Sequence, residues 1–269
     1  MNLRFAAGIV ILGGIILLAR CNMQNSLLYY PDSSLPSGEE LAARNIRFWP
    51  SGPGGYRGFV GTTEGGNIRG TVIVFHGNAG TAADREYYVA ALEPLGYRVI
   101  LAEYPGYGKR NGELGERSFM NDAKATLRLV SKQYGGPLFL LGESLGCGVA
   151  AGLAGDKSFR IGGIILITPW DTLLAVAGSH FPWMPVRFFL KDKYDNVGNL
   201  KSFPGRIAIV GAERDDIVPI RHAQALYRSL PGDKRMWTIQ GAGHNDWPMR
   251  VGAPQWREWM DYVRGDPAE

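Results

Sequence analysis

The chain has 269 residues, 45% hydrophobic and 20% charged, which is enough for one sizeable buried core. Its net charge of +4 is carried by scattered Lys and Arg, so no basic stripe points to nucleic acid and none is expected as a partner. Two cysteines, Cys21 and Cys147, have neither zinc-site spacing nor the number for a disulfide framework, and Cys147 reads as a small buried residue.

Leu3–Ala19 is apolar except for Arg4. Its length is near the lower limit for a membrane-spanning helix and slightly long for a signal-peptide core. No Ala-x-Ala site follows it, and Arg20 takes the small-residue place of a lipoprotein box before Cys21. Residues 1–22 therefore read as an uncleaved membrane anchor, with a cleaved signal segment or a buried helix as the alternatives. The N-terminal amine and Arg4 lie on one flank and Arg20 on the other. That balance weakly favours a catalytic domain, residues 23–269, on the extracytoplasmic side.

Met23 to Pro53 is a polar, Pro-containing connector with aromatic footholds at Tyr29, Tyr30, Phe48 and Trp49. Beyond it, short apolar runs alternate with stretches of helical period. The runs at 71–75, 98–102, 138–141, 163–167, 206–210 and 236–239 read as strands buried on both faces. Helices are expected over 82–95, 115–134, 145–154, 220–230 and 254–263. Such alternation predicts an α/β fold with a mostly parallel sheet covered by helices on both faces. Residues 169–204 break the rhythm with Trp170, Phe181, Trp183, Met184, Phe188, Phe189 and Leu190 among prolines and charges. The surplus over a simple crossover suggests a small helical lid.

Gly142-Glu143-Ser144-Leu145-Gly146 follows a buried strand directly and opens a helix. This is the G-x-S-x-G pattern in the strand–turn–helix context its chemistry needs. The small residues two before and two after let backbone pass close to a sharp turn that lifts the Ser144 hydroxyl. A serine nucleophile needs a histidine base, and a carboxylate to orient that histidine. Of four histidines, His76 comes too early for the order Ser…Asp…His, His180 lies in the lid, and His222 sits inside a helix. His244 follows the final strand in a Gly-rich loop, at the strand end where catalytic groups of parallel sheets collect, and is taken as the base. The acid belongs in the loop after the preceding strand, where Glu213, Asp215 and Asp216 all stand, and spacing does not separate Asp215 from Asp216. The His76-Gly77-Asn78-Ala79-Gly80 turn supplies a second strand end. Its Asn78 N–H and the N–H of Leu145 are the expected oxyanion donors, each worth on the order of 3 kcal/mol in the transition state.

Taken in order, His76–Gly80, Glu103–Gly108, Gly142–Gly146, Asp215–Pro219 and Gly243–Asp246 resemble the alpha/beta-hydrolase superfamily. More narrowly they resemble its membrane-anchored bem46-like branch, over roughly Leu27 to the C-terminus. The resemblance implies an alpha/beta-hydrolase fold. It puts the acid of a D-x-x-V-P pattern on Asp215, so Ser144, Asp215 and His244 form the expected triad. Two places depart from the family. The Glu103-Tyr104-Pro105 stretch stands where Arg is usual, and Glu143 stands where Arg or His often precedes the nucleophile. A carboxylate beside the elbow bears on substrate preference.

The expected activity is hydrolysis of a small-molecule or lipid-like carboxylic ester through an acyl-serine intermediate, with neither cofactor nor metal. A membrane-associated thioesterase, deacylase or peptidase on the same scaffold is the alternative. A non-catalytic binding protein is a third reading, against which every chemical position is filled. Dehalogenase and epoxide hydrolase chemistry would need Asp at the elbow, where Ser144 stands.

Overall fold

The computed structural model describes residues 24–62 and 67–265. In chain order its strands are β1 (Tyr30–Pro31), β2 (Ile46–Trp49), β3 (Gly58–Gly61), β4 (Gly70–Phe75), β5 (Ala79–Gly80), β6 (Tyr97–Ala102), β7 (Leu138–Glu143), β8 (Gly163–Ile167), β9 (Arg206–Ala212) and β10 (Lys234–Ile239). The helices are α1 (Gly38–Ala43), α2 (Tyr87–Leu92), α3 (Glu116–Tyr134), α4 (Leu145–Ala154), α5 (Leu173–His180), α6 (Asn196–Leu200), α7 (Arg221–Ser229) and α8 (Ala253–Arg264). Eight strands form one sheet in the order β10-β9-β8-β7-β4-β6-β3-β2. From β10 to β6 all neighbours are parallel, and β3 and β2 add an antiparallel edge.

The pleat sends alternate side chains of each strand to opposite cores. Ile73 and Phe75 of β4 join Leu140 and Ile209 under α3, α4 and α7. Val72 and Val74 join Leu141 and Val210 under α1, α2 and α8. Both faces being covered, β4 has no exposed residue, which is why its sequence is a continuous apolar run. On α3, Phe119, Ala123, Thr126, Leu127 and Val130 recur at helical spacing and are the buried stripe. Helix α4 is buried nearly all round, and its small residues let it sit close to its neighbours. A Cβ on Gly148 would lie 2.4 Å from the Tyr194 ring, and one on Gly155 would lie 2.5 Å from the Asn199 carbonyl oxygen.

The α/β expectation holds, and three local expectations need correction. The helix expected over 82–95 is broken into a 3-10 turn at Ala82–Arg85, α2, and a second 3-10 turn at Glu93–Leu95. Pro94 lacks the N–H to continue an α-helix and restricts the residue before it. The connector contains α1, begun by a Ser37–Glu40 capping box, and β2, where Ile46 and Trp49 are buried and Arg47 is exposed. Strand β3, unmarked in the apolar pattern because it is short and glycine-flanked, joins β2 to β6. Residues 169–204 form a helical insertion between β8 and β9, holding α5, a 3-10 turn at Val186–Phe188, and α6. Among the described residues no helix is long and apolar enough to cross a membrane. The expected anchor, residues 1–22, lies outside them.

Candidate active site

Ser144 stands between β7 and α4 with φ 50° and ψ −115°. A non-glycine residue held there stores about 1–3 kcal/mol of backbone strain, which the surrounding structure must impose. It is imposed from both sides. The Ser144 N–H donates to the Ile167 carbonyl at 2.9 Å, tying the turn to the end of β8. A Cβ on Gly142 would lie 2.6 Å from Cys147 Cα, and one on Gly146 only 1.9 Å from the Phe75 carbonyl oxygen. Both glycines are thus demanded by close backbone approach, as the spacing predicted.

The Ser144 hydroxyl is 2.9 Å from His244 Nε2, and His244 Nδ1 is 2.7 Å from Asp215 Oδ2. The His244 ring sits on the loop after β10 and Asp215 on the loop after β9. Backbone bonds zip the two loops together: Glu213 N–H donates to Ile239 O and Arg214 N–H to Ala242 O. Asp215 Oδ1 accepts the N–H groups of Ile217 and Val218, which leaves Oδ2 for the ring. The Asp215 side chain is 1% exposed. Of the three acids on this loop, Asp215 is the one that reaches His244. Asp216 is exposed, and Glu213 accepts the Gly241 N–H.

His76 is committed elsewhere. Its Nε2 lies 3.0 Å from Glu103 Oε1 and its Nδ1 lies 2.8 Å from the Gly77 carbonyl, with both side chains 1% exposed. Glu103 also accepts the N–H groups of Ala82 and Tyr104. This buried carboxylate braces the turn that carries Asn78, a support that the sequence reading registered only as a departure from the family. Replacing Glu103 by leucine leaves the buried N–H groups of Ala82 and Tyr104 and the His76 ring without their partner, at a cost of roughly 1–3 kcal/mol each. The expected loss of at least about 3 kcal/mol is read as a lowered urea midpoint.

Asn78 is held by its own carbonyl, which accepts the Tyr30 N–H at 2.8 Å and the Tyr107 hydroxyl at 2.7 Å, and by its side-chain amide, which donates to Leu28 O. The parallel pairing of β1 with β5 thus locks the connector onto this turn. Leu145 opens α4, where helical N–H groups have no partner within the helix. Asn78, Ser144 and Leu145 line one cavity of about 220 Å³. Its walls come largely from the 169–204 insertion, through Trp170, Leu173, Phe181 and Met184, and from Leu28 and Val218.

Glu143 does not face this cavity as a free carboxylate. It accepts the Tyr87 hydroxyl at 2.6 Å and the Tyr88 hydroxyl at 2.8 Å and pairs with Arg85 at 3.2 Å. Burial first, and then the Glu143 charge, push both tyrosine hydroxyls well above their ordinary value, so they remain donors. Cys147 is equally occupied: burial pushes its thiol well up, and it contacts the carbonyls of Gly142 and Ile167.

A second Ser–His–Asp chain exists where the sequence reading saw only a helix histidine. His222 Nδ1 is 2.9 Å from Asp171 and Nε2 is 3.2 Å from the Ser179 hydroxyl. Ser179 lies within α5 and donates to the Val176 carbonyl of its own helix. It has neither the positive φ nor the helix start that Ser144 has. The chemistry therefore separates the two sets. The 222 set clasps the insertion to α7, while the 144 set presents a hydroxyl to a cavity.

The family model described as serine aminopeptidase S33, of the alpha/beta-hydrolase kind, matches residues 66–187. An uncharacterized protein of Mycobacterium tuberculosis is 31% identical over 239 residues, covering 84% of this chain and 82% of its own. The lysophosphatidylserine lipase ABHD12 of Danio rerio is 29% identical over 192 residues, covering 61% of this chain and 49% of its own. Among solved structures, the esterase Pf2001 of Pyrococcus furiosus superposes with a TM-score of 0.65 at 16% identity, over 89% of this chain and 100% of its own. The chain belongs to the alpha/beta-hydrolase family, and it is a hydrolase.

Proposed function

We propose that the protein is a serine hydrolase of carboxylic esters with an apolar acyl group. The observation that carries this reading is the unbroken chain from Asp215 through His244 to a Ser144 hydroxyl in a strained turn at the head of α4. In the reaction His244 Nε2 takes the Ser144 proton as Oγ attacks the ester carbonyl. The resulting oxyanion is held by the N–H groups of Leu145 and Asn78. Collapse releases the alcohol, which takes the proton back from His244, and leaves an acyl-serine that an activated water then cleaves. Asp215 keeps the ring oriented and stabilises its positive charge while the proton rests there.

The cavity favours an ester over a peptide with a free amino terminus. Such an amine calls for a carboxylate, and no Asp or Glu lines the cavity among the described residues. In the same reading residues 1–22 anchor the chain, residues 23–269 form an extracytoplasmic catalytic domain of the bem46-like branch, and 169–204 is its lid. A fluorophosphonate probe is expected to label the protein once, and Ser144→Ala to abolish the label. Labelling that survives this substitution refutes the assignment. A panel of acyl esters, thioesters and aminoacyl amides then ranks the bond cleaved.

A further inference from the structure

The mouth of the cavity has an uncommon surface. Leu27, Phe181 and Ile217 line the cavity and are also exposed, so they form its rim. Trp183 stands edge-on to Phe181, 6.4 Å between ring centres, and is 79% exposed. Phe188 is 53% exposed beneath the Arg187 guanidinium. Isolated exposed apolar residues need no explanation, but aromatic residues gathered at one cavity mouth mark an interaction surface.

Over residues 173–193 the exposed charge has one sign, while Asp216 is exposed beside Ile217 on the facing loop. Between Leu173 and Lys193 the exposed charged side chains are Arg187, Lys191 and Lys193. The single carboxylate of that stretch, Asp192, is buried and accepts hydrogen bonds from Gln24 Nε2 at 2.7 Å and the Tyr29 hydroxyl at 2.5 Å. Gln24 Oε1 in turn accepts the N–H groups of Lys191 and Asp192. The beginning of the described chain is thereby pinned to the same face as the aromatic rim. The apolar run ends at Ala19, so four residues, or five steps of chain spanning at most about 17 Å, separate it from Gln24.

We infer that this face docks on an anionic lipid bilayer, with Trp183 and Phe188 among the acyl chains, and that the cavity takes its acyl ester directly from that bilayer. The arrangement fits an interfacial surface, in which exposed aromatic side chains reach through the headgroups into the acyl boundary while Lys and Arg meet lipid phosphates. The mouth then opens onto lipid, and an acyl chain passes from bilayer to apolar cavity without crossing water. The substrate is a membrane-resident acyl ester. This rests on the serine-hydrolase reading of Ser144 for its chemistry, but the docking itself does not depend on turnover.

The test uses the full chain reconstituted in vesicles of equal parts phosphatidylcholine and phosphatidylglycerol whose acyl chains carry bromine, a contact quencher of tryptophan. Wild-type protein is expected to show a quenched component that Trp183→Phe removes. Equal quenching of the two overturns the inference, as does quenching indifferent to replacing the anionic lipid by phosphatidylcholine. In the same vesicles, Trp183→Ser with Phe188→Ser is expected to lower turnover of a long-chain ester held in the bilayer by about tenfold or more. Turnover of a short water-soluble ester stays within about twofold, because neither residue lines the cavity. Loss of both rates together, or of neither, overturns the inference. Pairing of two copies through a cysteine placed at Phe188, with Trp183 unquenched, assigns the face to a second copy instead and overturns it as well. Quenching without fluorophosphonate labelling of Ser144 would leave the docking standing and remove the serine-hydrolase reading.

Discussion

Ser144→Ala is expected to lower kcat for a short acyl ester by about 10⁶-fold, with KM little changed. On the proposed reading the Ser144 oxygen is the atom that becomes bonded to the acyl group, and removing it leaves only the binding and oxyanion contributions, on the order of 10³–10⁴ over water. His244→Ala is expected to cost about as much, and the double variant no more than either single one, because serine and histidine act as one unit. Asp215→Asn is expected to lower kcat by about 10⁴-fold, since an amide beside Nδ1 favours the wrong tautomer of the ring. Steady-state kinetics on the four variants checks this pattern. Effects that simply multiply, or a harmless Asp215→Asn, would show that the hydrogen-bonded chain of Ser144, His244 and Asp215 is not the working unit. Ser179→Ala is the matched control. Its hydroxyl bonds to its own helix, so the ester rate should remain within a few-fold of wild type.

Gly146→Ala is expected to be severely damaging for a one-methyl change. The new Cβ would stand 1.9 Å from the Phe75 carbonyl oxygen, 2.5 Å from its carbon and 2.8 Å from the His76 carbonyl oxygen. These are backbone atoms at the end of a central strand with neighbours on both sides, so they cannot move aside as a flexible side chain would. Either α4 lifts away from the sheet or β4 shifts. The first misplaces Ser144, and the second misplaces the turn that carries Asn78. A loss of more than about 4 kcal/mol in unfolding free energy is expected, with activity falling alongside it. Gly77→Ala provides the contrast. Its nearest contacts would be Glu143 Oε1 and Ser144 Cβ at 3.6 Å, ordinary van der Waals distances. A cost below about 1 kcal/mol is expected there. Denaturant unfolding of the two variants measures the difference, and a Gly146→Ala protein of wild-type stability would show that the elbow does not need the close approach.

How much of this was legible in advance depended on how local the cause is. The central parallel strands announce themselves because burial on both faces removes charged residues and leaves β-branched and apolar ones, as in Thr71–Phe75. Helix α4 was read to the residue, since a strand, a G-x-S-x-G turn and a run of small residues leave little freedom. Strands β2 and β3 escaped because an edge pair of four residues each carries too short a pattern, and β3 is bounded by glycine at both ends. The broken helix over 82–95 was a choice between competing local signals, an apolar period on one side and Pro94 on the other.

The order of motifs along the chain was enough to define the fold class and to single out Ser144, His244 and, through the D-x-x-V-P resemblance, Asp215 as candidates, although spacing alone did not separate Asp215 from Asp216. Chemistry of that kind is written in residue types and spacings, and a strand–turn–serine–helix sequence has few other ways to fold. What the tertiary structure alone decided is which side chains meet across long separations. Asp215 turns its free oxygen to His244 because its other oxygen is held by Ile217 and Val218, while Asp216 beside it faces solvent. Glu143 is tied to Arg85, Tyr87 and Tyr88, more than fifty residues away in the chain. Asp192 meets Gln24 and Tyr29 from across most of the chain. Hydrogen bonds of this length in sequence leave no period or motif, because either partner taken alone looks like any polar residue.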